Sequence, residues 1–182
     1  SWLTASGWTI PQEQKEVAPA APLPPPPDPA EEQAKKIKAV RLEECRPLIP
    51  GLYPYQVDFV RFMSLRKGRA ALGDDMGTGK TVQALAWLAY SGAFPALIVV
   101  NAPTKLQWAR AFKDWLGKVP AVSPMFKRIG VLSGRKPFPM EPGVSYIINW
   151  DILADWAGHL VGNGQFIPDG PLAKFGFQLL IG

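Results

Sequence analysis

From about residue 47 onward, apolar runs alternate with amphipathic stretches, and the alternation predicts the elements. Ala96-Leu97-Ile98-Val99-Val100 is continuously apolar, the pattern of a strand buried on both faces. Residues 128–132, 144–149 and 177–181 read as further strands, and 70–73 as the first central one. Between them the period changes to that of a helix. Leu52-Tyr53-Pro54-Tyr55-Gln56 leads into a helix ending near residue 66, with Phe59, Phe62 and Met63 toward the core. Val82, Leu85, Ala86 and Ala89 form one stripe on a helix that opens near Lys80 and stops at Gly92 and Pro95. After 101–104 a helix to about residue 116 places Trp108, Ala111, Phe112 and Trp115 on one face. Asp151 reads as the cap of the helix after the 144–149 strand, and 158–170 as loop. Strands alternating with helices predict an α/β fold: a parallel sheet with helices on both faces and ligands at the carboxyl ends of the strands.

The stretch before this pattern is different in kind. Residues 1–18 stay unassigned, 19–46 read as a proline-rich and then charged linker, and 47–182 as the folded domain. Positions 11–29 hold eight of the chain's 20 prolines, so an extended polyproline-like spacer is expected there, with a protein partner as a secondary use. Residues 31–46 are charged and read as a short helix leading into the domain.

Composition narrows the chemistry. At 182 residues and 47% hydrophobic, the chain is long enough for one domain with a real core plus a tail. The net charge of +5 permits a polyanionic partner without demanding one. Cys45 and His159 are each the only residue of their type, which excludes a disulfide framework, cysteine metal sites and multi-histidine metal sites. No apolar run approaches the roughly 20 residues a membrane span needs, and no secretory signal is seen, so an intracellular, soluble protein is expected.

The candidate chemistry sits in Gly73-Asp74-Asp75-Met76-Gly77-Thr78-Gly79-Lys80-Thr81, between a short apolar run and a helix. Gly77 and Gly79 can adopt backbone angles that turn successive N–H groups toward one anion, and the helix adds its positive end. Lys80 can reach the β- and γ-phosphates of a nucleotide, and the Thr81 hydroxyl can ligate Mg²⁺. Gly77, Thr78, Gly79, Lys80 and Thr81 are therefore the candidate phosphate-binding residues, with Lys80 the catalytic one. The general pattern G-x-x-x-x-G-K-[ST] wants glycine where this chain has Asp74. Asp74 and Asp75 are read as structural, because carboxylates facing the phosphates would repel them.

Four stretches in order resemble the first RecA-like lobe of superfamily-2 helicases, and within it the Swi/Snf-type DNA translocases. Leu52 to Gln56 resembles the family's L-x-P-Y-Q, whose glutamine reads adenine; Gln56 suits that task because its amide both donates and accepts. Asp74 to Thr81 is similar to D-E-M-G-L-G-K-T, which makes Asp74 part of the likeness, with Asp75 and Thr78 as departures. Pro103-Thr104 and Gln107-Trp108, after their strand, look like the segment that contacts DNA phosphates. Ile147-Ile148-Asn149-Trp150-Asp151 resembles I-[TN]-Y-D. The resemblance implies a RecA-like P-loop lobe over about 47–182, with ATP and Mg²⁺ as cofactors and duplex DNA as partner. Thr104 and Lys105 are the candidate nucleic-acid contacts, at a helix start where a hydroxyl and free N–H groups can hold a phosphate. The family's next motif, D-E-x-H, would follow the 177–181 strand, so 1–182 alone is expected to bind nucleotide weakly and turn it over little. No catalytic base is assigned. Two alternatives stay open: a superfamily-2 relative acting on RNA or driving a restriction system, and a nucleotide-independent binding module.

Overall fold

A computed structural model describes residues 28–43, 48–162 and 164–182. Residues 11–27 of the proline-rich spacer, the domain start at Pro47 and Cys45 lie outside the described residues, and Pro29, expected in the spacer, opens a helix.

Helix α1 (Pro29–Ala39) is charged and buries no residue. It begins where the Asp28 carboxylate accepts from the Ala30 N–H at 2.9 Å and is laced by a Lys36–Glu32 pair at 2.7 Å. Helix α2 (Pro54–Leu65) starts with proline, whose missing N–H costs nothing there. Its buried stripe is Gln56, Val60 and Met63, at i, i+4 and i+7. Phe59 and Phe62 were expected in that stripe, but they are only half-buried and line a cavity with Gln33 and Ile37 of α1. One helical face cannot hold both sets, and the set containing Val60 meets the main core.

Helix α3 (Lys80–Ser91) follows, ended by Gly92 at φ +67°. Strand β1 (Ala96–Val100) is buried at every position. Helix α4 (Lys105–Gly117), β2 (Ile129–Val131), β3 (Ser145–Asn149) and α5 (Trp150–Ala157) come next. Two short strands, β4 (His159–Leu160) and β5 (Phe166–Ile167), pair antiparallel inside the stretch expected to be loop. Two residues are too few for an alternating pattern to register in sequence. Helix α6 (Pro171–Lys174) and β6 (Leu179–Ile181) complete the described chain.

The main sheet has the order β2-β3-β1-β6 and every pair is parallel. Alternation along β1 divides two cores. Ala96, Ile98 and Val100 face Val60 of α2, Leu85, Ala86 and Leu88 of α3, and Phe112 and Leu116 of α4. Leu97 and Val99 face Ile152 and Trp156 of α5 and Leu172 of α6. Helices thus cover both faces, and each fully buried Leu, Ile or Phe adds about 1.5–3 kcal/mol of transfer free energy. Trp108 and Trp115 pack against the first core, as their helical face predicts.

Two expectations about strands change. Residues 70–73 form no strand. Ala70-Ala71-Leu72-Gly73 is short and poor in β-formers, and a cavity of about 340 Å³ is lined by Ala70–Leu72 and by Leu179–Ile181 of β6. Strand β6 is therefore an edge, with Leu180 67% exposed, and not the doubly buried strand its sequence suggests. At α5, Asn149 and not Asp151 occupies the N-cap position; Asp151 lies in the first turn, where it accepts from Asn149 Nδ2 at 2.9 Å.

Candidate phosphate-binding site

The loop of residues 73–79 runs into α3 through two glycines in left-handed conformation, Gly77 at φ +88° and Gly79 at φ +78°. A Cβ on Gly77 would meet nothing within 4 Å, whereas one on Gly79 would stand 2.8 Å from Gln56 Nε2. Gly79 is thus required twice, by its backbone angle and by the neighbouring amide. The first backbone bond of α3 joins the Gln83 N–H to the Gly79 carbonyl at 3.0 Å. The N–H groups of Lys80, Thr81 and Val82 therefore enter the helix without an intrahelical acceptor, at its positive end. A left-handed glycine on each side of Thr78, followed by free helix-start N–H groups and a lysine, is a donor set suited to an anion.

Lys80 is folded back over this loop. Its Nζ donates to the carbonyls of Asp74 and Asp75, at 2.7 Å each. Those carbonyls hold the ammonium above the loop from an exposed position, from which it can turn to a ligand. The Thr78 hydroxyl donates to the Asp75 carbonyl at 2.8 Å and so closes the loop on itself. Thr81 stands half-buried in the first turn of α3.

The Thr78 carbonyl is the most heavily held atom here. It accepts from the Tyr55 hydroxyl at 3.0 Å, from Gln56 Nε2 at 3.2 Å and from Gln83 Nε2 at 3.4 Å. Gln56 is 5% exposed, and its Oε1 accepts from the Tyr53 N–H at 3.0 Å. Its amide thus fastens the start of α2 to the loop. The Asp74 carboxylate accepts from Gln83 Nε2 at 2.9 Å. Sequence reasoning had placed neither Tyr55 nor Gln83 at the site. The available signal for Gln83 was a polar residue among the apolar positions of α3, three after Lys80.

The second candidate group lies elsewhere, at the carboxyl ends of β1, β2 and β3. Thr104 precedes α4, but its hydroxyl donates to the Asn101 carbonyl at 2.8 Å and caps no α4 N–H. The Lys105 N–H is already bonded to the Ala102 carbonyl of the 3-10 turn Ala102–Thr104 that leads into α4. Lys105 is turned inward: its Nζ donates to the Leu132 carbonyl at 2.9 Å and to Asn149 Oδ1 at 2.8 Å. It therefore ties the start of α4 to the residue after β2 and to the last residue of β3, a role its sequence position did not suggest. Arg135, 72% exposed at the side chain, pairs with Asp155 at 3.0 Å, and Lys136 is exposed, as expected of solvated loop charges. Among the described residues no cluster of three or more His, Cys, Asp or Glu could hold a metal, and no helix is long and apolar enough to cross a membrane.

Residues 55–127, which carry α2, the glycine loop, α3, β1 and α4, match the SNF2-related domain. Over these residues the chain is similar to the SNF2 family. The chain is 35% identical over 121 residues to the Xenopus laevis SWI/SNF-related matrix-associated actin-dependent regulator of chromatin subfamily A-like protein 1, covering 66% of this chain and 12% of that protein. Its Caenorhabditis elegans homolog is 47% identical over 64 residues, 35% of this chain and 9% of the relative. The mouse DNA annealing helicase and endonuclease ZRANB3 is 33% identical over 93 residues, 50% of this chain and 8% of the relative. The chain thus spans about an eighth or less of the length of these relatives. The parallel sheet with helices on both faces agrees with a RecA-like lobe of this family.

Proposed function

We propose that this segment is the ATP-binding lobe of an ATP-dependent DNA translocase, in which hydrolysis drives movement along duplex DNA. The observation that carries the reading is the loop itself: left-handed Gly77 and Gly79, free helix-start N–H groups and an unburied Lys80, within a sequence that matches the family. Gly77, Thr78, Gly79, Lys80 and Thr81 bind the phosphates. Lys80 leaves the Asp74 and Asp75 carbonyls to neutralise charge on the transferring phosphoryl group. The residues fit Mg-ATP: a cradle shaped by glycines, a cation that can be redirected, and at Thr81 a hydroxyl beside the helix start to ligate Mg²⁺. The bound ion would screen the charge between the terminal phosphates. Gln56 retains one N–H and one lone pair after its two bonds, enough for the paired contact to adenine.

For DNA, we assign a backbone phosphate to the start of α4 beside Thr104, where no side chain caps the helix. Lys105 adds its charge and its one remaining donor from the position where Leu132 and Asn149 hold it. Such contacts carry little sequence information, which suits a motor that steps along any sequence. The mouse relative's name describes a DNA annealing helicase, which supports DNA over RNA as the partner. The test is ATP hydrolysis by the whole protein with duplex DNA, single-stranded DNA or RNA. Stimulation by duplex DNA, lost in Lys80→Ala, is expected. Stimulation by RNA alone would replace the reading with that of an RNA motor.

A further inference from the structure

Asp74 and Gln83 are nine residues apart, and neither is assigned a task by the phosphate chemistry. Gln83 is fully buried, yet it is polar and lies on a helix otherwise packed against the core. Its Nε2 has two hydrogens and spends both on the loop: one on Asp74 Oδ2 at 2.9 Å, one on the Thr78 carbonyl at 3.4 Å. Its Oε1 is buried with no partner. Rotating the amide would set Oε1 against a carboxylate and a carbonyl, two acceptors facing a third. The observed orientation is therefore fixed by the loop, at the cost of an unsatisfied acceptor.

We propose that Gln83 is a positioning residue for phosphate binding: its amide joins the Asp74 carboxylate at the loop's start to the Thr78 carbonyl near its end, and thereby aims the Gly79 N–H at the anion. The last step follows from peptide planarity. The Thr78 carbonyl and the Gly79 N–H belong to one trans peptide unit and point in opposite directions. Three donors, from Tyr55, Gln56 and Gln83, draw the carbonyl toward the protein, so the N–H faces outward. The Asp74 bond matters most once a ligand arrives. Lys80 then leaves the Asp74 and Asp75 carbonyls, and Gln83 remains as the side chain holding Asp74. An acidic residue where the general phosphate loop has glycine thus serves as an acceptor for the clamp.

The inference rests on the phosphate-loop reading, and the experiment separates the two. Binding of a fluorescent ATP analogue with Mg²⁺ is measured on the full 182-residue chain, with displacement by inorganic tripolyphosphate as a probe that touches only the phosphate site. Asp74→Ala is expected to weaken both about ten-fold, the loss of one hydrogen bond to a charged group, and Gln83→Leu at least as much, since it also loses the bond to the Thr78 carbonyl. Asp74→Asn keeps an acceptor oxygen and is expected to stay within about three-fold of wild type, a rescue that a role for the charge alone would not give. Asp74→Ala combined with Gln83→Leu should be no weaker than Gln83→Leu alone. Wild-type affinity in Asp74→Ala and Gln83→Leu, with binding lost in Lys80→Ala, overturns the clamp and leaves the phosphate loop standing. Equal binding, or none, in wild type and Lys80→Ala overturns both. Should Gln83→Leu fail to fold, the exposed Asp74 pair of variants decides alone.

Discussion

Gly79→Ala is the sharpest perturbation of the loop, because two separable costs meet at one position. The first is conformational. At φ +78° an alanine gives up about 1–2 kcal/mol relative to glycine. The second is steric: the new Cβ would lie 2.8 Å from Gln56 Nε2, so the amide must leave. Moving it breaks its bonds to the Thr78 carbonyl and from the Tyr53 N–H, each worth about 0.5–1.5 kcal/mol net. Gly79→Ala should therefore cost about 3 kcal/mol. Gly77→Ala, at φ +88° with no neighbour within 4 Å, should cost only the first part, about 1–2 kcal/mol. The decisive comparison is made in a Gln56→Ala background. There the obstructing amide is already gone, and Gly79→Ala should cost no more than Gly77→Ala. Urea denaturation of wild type, Gly77→Ala, Gly79→Ala, Gln56→Ala and the Gln56→Ala/Gly79→Ala double variant, with the midpoints converted through a common slope, measures the coupling. An additive cycle, or equal losses for Gly77→Ala and Gly79→Ala, would show that the Gln56 amide does not brace the loop.

Trp156→Ala removes a fully buried indole whose Nε1 donates to the Gly134 carbonyl at 2.8 Å; a loss of about 3–5 kcal/mol is expected by chemical denaturation. Lys105→Met frees the Leu132 carbonyl and Asn149 Oδ1 and should cost about 2 kcal/mol, so any DNA-binding defect it shows must be compared with its melting temperature. The hydrogen bond with His159 holds the Asp169 carboxyl below its ordinary range. A depressed acid stabilises the fold above its unfolded value and stops doing so as pH falls through the folded one. The small melting-temperature advantage of wild type over Asp169→Asn should thus be present near neutrality, begin to fade near pH 4 and disappear only below the depressed folded value.

The parts of the fold legible in sequence are those where packing and local pattern agree. The five consecutive apolar residues of β1 are buried without exception, and the stripe through Leu85, Ala86 and Ala89 is the buried face of α3. The glycine loop was legible because backbone angles restrict residue type there: Gly77 and Gly79 occur where φ is positive. What could not be read was which partner each polar group would find. Lys105 looks like a surface cation beside a helix start, yet long-range bonds to residues 132 and 149 turn it inward. Gln56 announces itself through a local motif, but its bond to Thr78 spans 22 positions. Residues 70–73 have a strand's hydrophobicity and no partner strand, and pairing is a property of two segments.

Mg-ATP stabilisation of the 182-residue chain tests the nucleotide reading at its root. A ligand held only by the native state, at about 100 times its Kd, adds about 2.7 kcal/mol. For a domain of this size that raises the melting midpoint by roughly 5–10 °C. The midpoint should rise by this amount in wild type and stay in place in Lys80→Ala, whose ammonium makes only exposed bonds in the free loop. A midpoint in wild type that ignores saturating Mg-ATP, or an equal rise in Lys80→Ala, would mean that residues 77–81 do not grip a nucleotide.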